Sequence, residues 1–197
     1  MKNVMMTNLL VFMFSFLLNI TTTDAQINSL KDVEGNWEFQ VDESELTFKI
    51  GNMYIFSVKG EMPIKKGVFQ KSSDATKIEV TIDISPISTG ITKRDDHLKS
   101  EDFFNTKKYP EIDFYSENTS LNKNGRNYAF MSQGTVEIKG IQNLEIIYFN
   151  INKLSEDKIS ITGEATLNRL VYKIDYEMAG MDDEATVKFE VIANRLN

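Results

Sequence analysis

The side chains best suited to chemistry gather in one stretch, Ile91 to Phe114 (ITKRDDHLKSEDFFNTKKYPEIDF), which holds the single histidine of the chain. His97 beside Asp95 and Asp96 has the makings of an acid/base pair or a weak metal site, because a carboxylate next to an imidazole can share its proton or a cation. The competing role is architectural: a histidine that hydrogen-bonds across a loop and fixes a short helix at the mouth of a barrel. A general base needs a nucleophile or a bound water placed by other residues. The sequence offers neither, so the architectural role is the better fit.

Other catalytic signatures are missing. No two of the ten glycines stand two or four apart, which removes G-x-G nucleotide loops and the G-x-S-x-G nucleophile elbow, and there is no Walker lysine. With no cysteine and one histidine, a zinc site of the usual nitrogen and sulfur ligands cannot be assembled within one chain. The run Asp182, Asp183, Glu184 reads as a solvated turn. Asn118-Thr119-Ser120 fits a glycosylation acceptor, although asparagine also suits a turn there. The aromatics Phe103, Phe104, Tyr109, Phe114 and Tyr115 are more telling, as ordinary core or as the lining of an apolar ligand channel. Neither an enzymatic activity nor a cofactor is expected.

The elements that must position these residues are short strands. Trp37 to Val41 alternates, with Trp37, Phe39 and Val41 on one face. Leu46 to Ile50 and Tyr54 to Lys59 follow, joined by a turn at Gly51-Asn52. The segment 65–70 carries Gly67 and suits an edge or a bulge. The cleanest pattern is Thr76 to Ser85, where Ile78, Val80, Ile82 and Ile84 face one way and a helix would scatter them. Thr92 to Lys99 is a short helix with Thr92 as its cap, and Pro110 ends anything helical before Ile112 to Ser116 resumes as strand. A polar turn at Asn122 to Gly125 leads into Asn127 to Met131, then Gly134 to Lys139. Leu144 to Ile151 is apolar on both faces, and strands at Lys158 to Leu167 and Thr186 to Ile192 complete the set. Eight to ten strands with tight connections and one short helix specify an all-β antiparallel barrel or sandwich.

The amino terminus reads as a secretory leader: Lys2 gives the positive start, Leu9 to Leu18 the apolar run and Thr23-Asp24-Ala25 the cleavage site. The run is too short to span a bilayer, so a retained anchor is the weaker alternative. Cleavage after Ala25 leaves residues 26–197 as one domain, periplasmic or secreted. The net charge of −7 is unchanged, because the leader carries one lysine and one aspartate. An acidic surface disfavours nucleic acid, and membrane contact is at most transient. The oligomeric state is left open, a homodimer included.

Several ordered motifs resemble the YceI-like family of periplasmic polyisoprenoid-binding proteins. They are Ile82-Asp83, Ser88-Thr89-Gly90, Arg94 to Ser100, Asp102-Phe103-Phe104, Tyr109-Pro110 and Ile112 with Phe114, then Gly134, Val136, Ile138, Gly140-Ile141, Gly163, Ala165, Asn168-Arg169, Tyr172 and Asp183-Glu184. The resemblance runs over about residues 37 to 193. It implies an extended eight-stranded antiparallel barrel, lipocalin-like in shape, with a helix or loop segment near residues 92–110. It further implies non-enzymatic binding, storage or transport of a long-chain isoprenoid or similar amphipathic lipid, such as a quinone or polyprenyl phosphate; the alternative is an exported stress or interaction protein whose barrel interior is simply packed. Two places depart from the family: Asn52 stands where a histidine is frequent, and Leu170-Val171 where a Ser-Asp pair is common. On this resemblance the interior and mouth would be formed by Phe56, Arg94, His97, Phe103, Phe104, Tyr109, Phe114 and Tyr172. Arg94 and His97 are expected as architectural residues first and head-group contacts second. Together, residues 91–114 are expected to form a lid, its aromatic faces turned toward an apolar interior.

Overall fold

The computed structural model describes residues 25–52, 56–123, 127–176 and 180–196. Residues 1–24 of the expected leader lie outside them, as do Tyr54, Ile55 and part of the turn expected at Asn122 to Gly125. Eleven strands form one antiparallel sheet: β1 Ala25–Ile27, β2 Gly35–Phe39, β3 Glu45–Asn52, β4 Phe56–Glu61, β5 Ile64–Lys71, β6 Thr76–Asp83, β7 Glu111–Leu121, β8 Phe130–Ile138, β9 Ile141–Ser155, β10 Lys158–Asn168 and β11 Met181–Arg195. Among the described residues the single α-helix, α1, spans Thr92–Lys99.

The sheet closes on itself. From β2 the hydrogen-bonded order runs β5, β6, β7, β8, β9, β10, β11 and back to β2. The carboxyl end of β11 pairs with β2, and its earlier residues pair with β3, so β2 and β3 are successive halves of one barrel stave. β4 and β5 pair with those two halves in turn and make the next stave. Counted this way, the wall is an eight-stranded antiparallel barrel, which leaves no free edge around its waist.

The period-two pattern dictates which side chains turn inward. On β6, Ile78 and Ile82 are buried as the alternation requires, and Ile84 beyond its end is buried as well. Three expectations need correction. Gly51 and Asn52 do not form a turn but remain in β3, paired with Ser57 and Phe56, because backbone pairing there outweighs their turn preference. Asn127 to Met131 and Gly134 to Lys139 are not two strands, since Phe130–Ile138 is continuous. Thr92 is the first residue of α1 and not its cap; Ile91 holds that position without a side-chain bond.

One hairpin shows how the local sequence sets the register. Lys139 (φ 55°) and Gly140 (φ 73°) form a two-residue connection between Ile138 and Ile141, which pair directly. Two successive positive φ angles match the twist of the flanking strands, and glycine adopts the second without strain.

The two ends of the barrel differ. At one end Val33, Trp37, Phe130, Ile151 and Ile159 are fully buried and form a packed floor. The Trp37 indole donates to the Val33 carbonyl at 2.9 Å, and the Arg195 guanidinium lies 4.3 Å from the ring centre. The opposite end, where β6 stops, is crossed by residues 84–110 with α1.

Candidate functional site: an apolar tube beneath a lid

Between floor and lid runs a cavity whose twenty lining residues are all apolar, from Phe39 on β2 to Val191 on β11. Its volume is about 120 Å³. The space is therefore a slender tube and not a roomy chamber. Aromatic side chains shape it: the Phe114 ring lies against Gly134, Phe39 against Gly67 and Phe189 against Gly163. With no side chain on those glycines, each ring can lie close to the wall instead of standing across the bore.

The lid is tied down by polar contacts. Asp95 accepts hydrogen bonds from the Thr89 amide at 2.8 Å and from the Thr89 hydroxyl. Arg94 closes the same loop, donating from Nε to Thr89 Oγ1 at 2.8 Å and from its terminal nitrogen to the Thr89 carbonyl at 3.0 Å. The Thr89 hydroxyl and amide hold the Asp95 carboxyl below its ordinary value, against a smaller opposing push from desolvation. Both residues thus fasten α1 to the loop before it, the architectural role expected of Arg94.

His97 does not partner Asp95 or Asp96. Its Nε2 lies 3.1 Å from Asp102 Oδ2, and its ring meets Phe103 and Tyr176 edge-on with centroids 4.9 and 4.8 Å away. The histidine therefore joins the helix to the loop after it and to the β10–β11 connection, a stitch across the barrel end. Among the described residues no three His, Cys, Asp or Glu side chains come together as a metal cluster.

The structure separates the expected site residues. Phe114 lines the tube. Phe103 is buried within the lid, Phe104 is half-buried against the core, and Tyr109 packs over the β8–β9 hairpin beside Gly140. Phe56 is 65% exposed at the start of β4 and turns away from the interior. The wall is built instead by Leu46, Met62, Phe69, Ile161, Phe189 and their neighbours.

Tyr172 belongs to a small polar group that interrupts this apolar setting. After β10, one turn of 3₁₀ helix at Arg169–Tyr172 folds the tyrosine back under the lid, where it is fully buried. Its hydroxyl donates to Glu145 Oε1 at 2.9 Å, and Asn143 bonds to it as well. Register places Asn143 opposite Val136 and Glu145 opposite Gly134, both on the inner face of β9 near the lid. Burial first, then the bond to the Glu145 carboxylate, pushes the Tyr172 phenol far above its ordinary value, so it stays a neutral donor. Glu145 and Asn143 escape sequence reading because they sit in an apolar run; the only signal is a carboxylate at an inward position.

Comparison with known proteins agrees with this architecture. A family model described as the YceI-like domain matches residues 37–193. UPF0312 proteins of Staphylococcus aureus, strains bovine RF122 / ET3-1 and USA300 among them, are 32% identical over 171 residues, covering 80% of this chain and 95% of theirs. Among solved structures, a polyisoprenoid binding domain from Saccharophagus degradans implicated in plant cell wall breakdown superimposes with a TM-score of 0.66 at 13% identity, covering 81% of this chain and 98% of that one. Burkholderia cenocepacia BcnA gives 0.64 at 17% identity, with 78% and 98% covered. At such identities these two likenesses establish the fold alone. The Campylobacter jejuni YCEI protein is 25% identical with a TM-score of 0.58, covering 73% of this chain and 88% of its own. Motif, barrel and sequence identity coincide over the same residues, and the chain belongs to the YceI-like family.

Proposed function

We propose that this protein binds a long-chain isoprenoid or similar amphipathic lipid in its barrel and stores or carries it without chemical conversion. The observation that carries this reading is the tube itself: slender, lined only by apolar side chains, and stoppered by a lid. At about 120 Å³ the cavity is below the roughly 300–1,000 Å³ usual for ligand pockets, so a long chain enters as the rings packed on Gly67, Gly134 and Gly163 swing aside. Burial of a hydrocarbon chain gains about 0.8 kcal/mol per CH₂, so affinity follows from length without polar contacts along the chain. A bore one chain wide favours unbranched or isoprenoid tails over bulky fused rings.

The Saccharophagus degradans neighbour is a polyisoprenoid binding domain, which supports the same ligand class. A quinone or a polyprenyl phosphate would place its tail toward the floor and its head beneath the lid. The leader read from the amino-terminal sequence supports a periplasmic or extracellular location, where a lipid needs a carrier to cross water. Organic extraction of the protein purified from its own host, followed by mass spectrometry, should release a stoichiometric isoprenoid; repeated recovery of empty protein would overturn the proposal.

A further inference from the structure

The outer wall carries a second concavity, separate from the tube. Strands β10, β11, β3 and β4 form the bed of an open groove of about 870 Å³, and residues 88–90 form its rim. Its bed is the outward-facing set of side chains: Leu46, Val187 and Ala165 line the tube, so Thr47, Lys188 and Thr166 next to them in the chain turn the other way. We infer that this groove is an anion site for a phosphate group, held by Lys49 and Lys59. It lies outside the barrel and stands or falls independently of the interior-lipid reading.

Three observations carry it. First, register sets Thr166 opposite Thr186, Thr186 opposite Lys49 and Lys49 opposite Lys59, a row of donors across four strands with no carboxylate in it. Second, the two lysines are held together. The Glu61 amide and carbonyl both bond to Ser88, which points the backbone groups of Glu61, and of Lys59 two residues before it, away from β3. Lys49 and Lys59 therefore form the narrow, non-hydrogen-bonded kind of cross-strand pair, with Cα atoms about 4.5 Å apart. Like charges placed so are destabilising, and among the described residues neither ammonium has a hydrogen-bond or ion-pair partner. An anion between them turns that repulsion into two attractions. Third, the carboxylates of the groove do not take this role: Glu164 lies 4.0 Å from Lys188, and Glu61 makes no ion pair with either lysine. The pair keeps a local surplus of positive charge in a chain whose net charge is −7. Phosphate fits better than a carboxylate because it offers more acceptor oxygens, enough for both ammoniums and the neighbouring Thr186 hydroxyl.

The test titrates inorganic phosphate into the purified protein at an ionic strength held constant with chloride, and follows the backbone amides by NMR. In parallel the protein is floated with vesicles of phosphatidylcholine alone and of phosphatidylcholine with phosphatidylglycerol. The expected result is a saturable response confined to residues 47–49, 59–61, 88–90 and 186–188, with affinity reduced at least about fivefold by the double change Lys49→Gln, Lys59→Gln and raised about two- to threefold by Glu61→Gln. All three side chains are exposed, and removing the opposed charges should leave the melting temperature equal or higher, so a lost response is not lost folding. Flotation that requires phosphatidylglycerol and disappears in the double variant identifies a lipid head group as the source of the phosphate; an amide response without flotation identifies a soluble phosphate ester. Either upholds the site. A response that never saturates and scatters over lysines outside the groove overturns it, as does a double variant that binds phosphate as well as the unaltered protein.

Discussion

The ring of Phe114 lies across Gly134 on the inner face of the β7–β8 pair, where a Cβ on the glycine would stand 2.6 Å from Cε2 of the ring and 2.5 Å from the Tyr115 carbonyl oxygen. A ring can swing away, but a strand carbonyl cannot. Gly134→Ala should therefore destabilise the protein by about 1–3 kcal/mol, the usual range for overpacking, and should displace Phe114 into the tube. Urea unfolding measures the first effect and ligand affinity the second. A change in stability below about 0.5 kcal/mol would show that the wall yields there.

Filling the tube should abolish binding without harming the fold. Ala165 lies on β10 with its side chain on the lining, opposite Ile147 and Val187. Ala165→Phe occupies the bore of a one-chain tube, and isoprenoid affinity is expected to fall by more than about tenfold while circular dichroism stays native. Unchanged affinity would mean that the chain lies elsewhere.

The floor provides the opposite control. Trp37 is buried and donates to Val33, yet it is not among the lining residues. Trp37→Phe should cost about 1–3 kcal/mol, from the unmade bond at the Val33 carbonyl and the smaller ring, with ligand affinity retained. Loss of binding at intact stability would place the ligand deeper than the cavity suggests.

The lid clasp carries a pH signature. The Thr89 bonds lower the Asp95 carboxyl below its ordinary 3.8, so the charged form is the one that favours the closed lid. That contribution is complete above the ordinary value and is lost as pH falls through the lowered one. Ligand release is expected to be flat between about pH 5 and 8 and to accelerate only in acid, whereas Thr89→Val should accelerate it at every pH by removing the hydroxyl that joins Asp95 and Arg94. Stopped-flow displacement checks both. An acceleration that sets in near neutral pH would contradict an aspartate clasp.

Much of the barrel was legible because period-two alternation is a local property. Thr76–Asp83 and Lys158–Asn168 follow it closely, and α1 has the boundaries read from the sequence. The turn at Gly51-Asn52 was misplaced because both residues fit a turn and a strand, and only the partner strand decides between them. The site was less legible. Parity along a strand tells inside from outside but not floor from tube or lid. Phe103 and Phe114 consequently looked equivalent although one packs in the lid and the other lines the bore. His97 drew attention as the single histidine, and its true partner, Asp102, stands beyond the end of the helix rather than beside it. Glu145 left no pattern, since its significance comes from Tyr172 folding back upon it from twenty-seven residues away.

The central claim is that a single apolar chain threads the barrel between its floor and its lid. A crystal structure of protein purified from its own host tests it most directly. The account predicts continuous tubular density along Phe69, Ile161 and Phe189 that ends beneath the lid. Side chains collapsed across the bore, with no density between them, would contradict it.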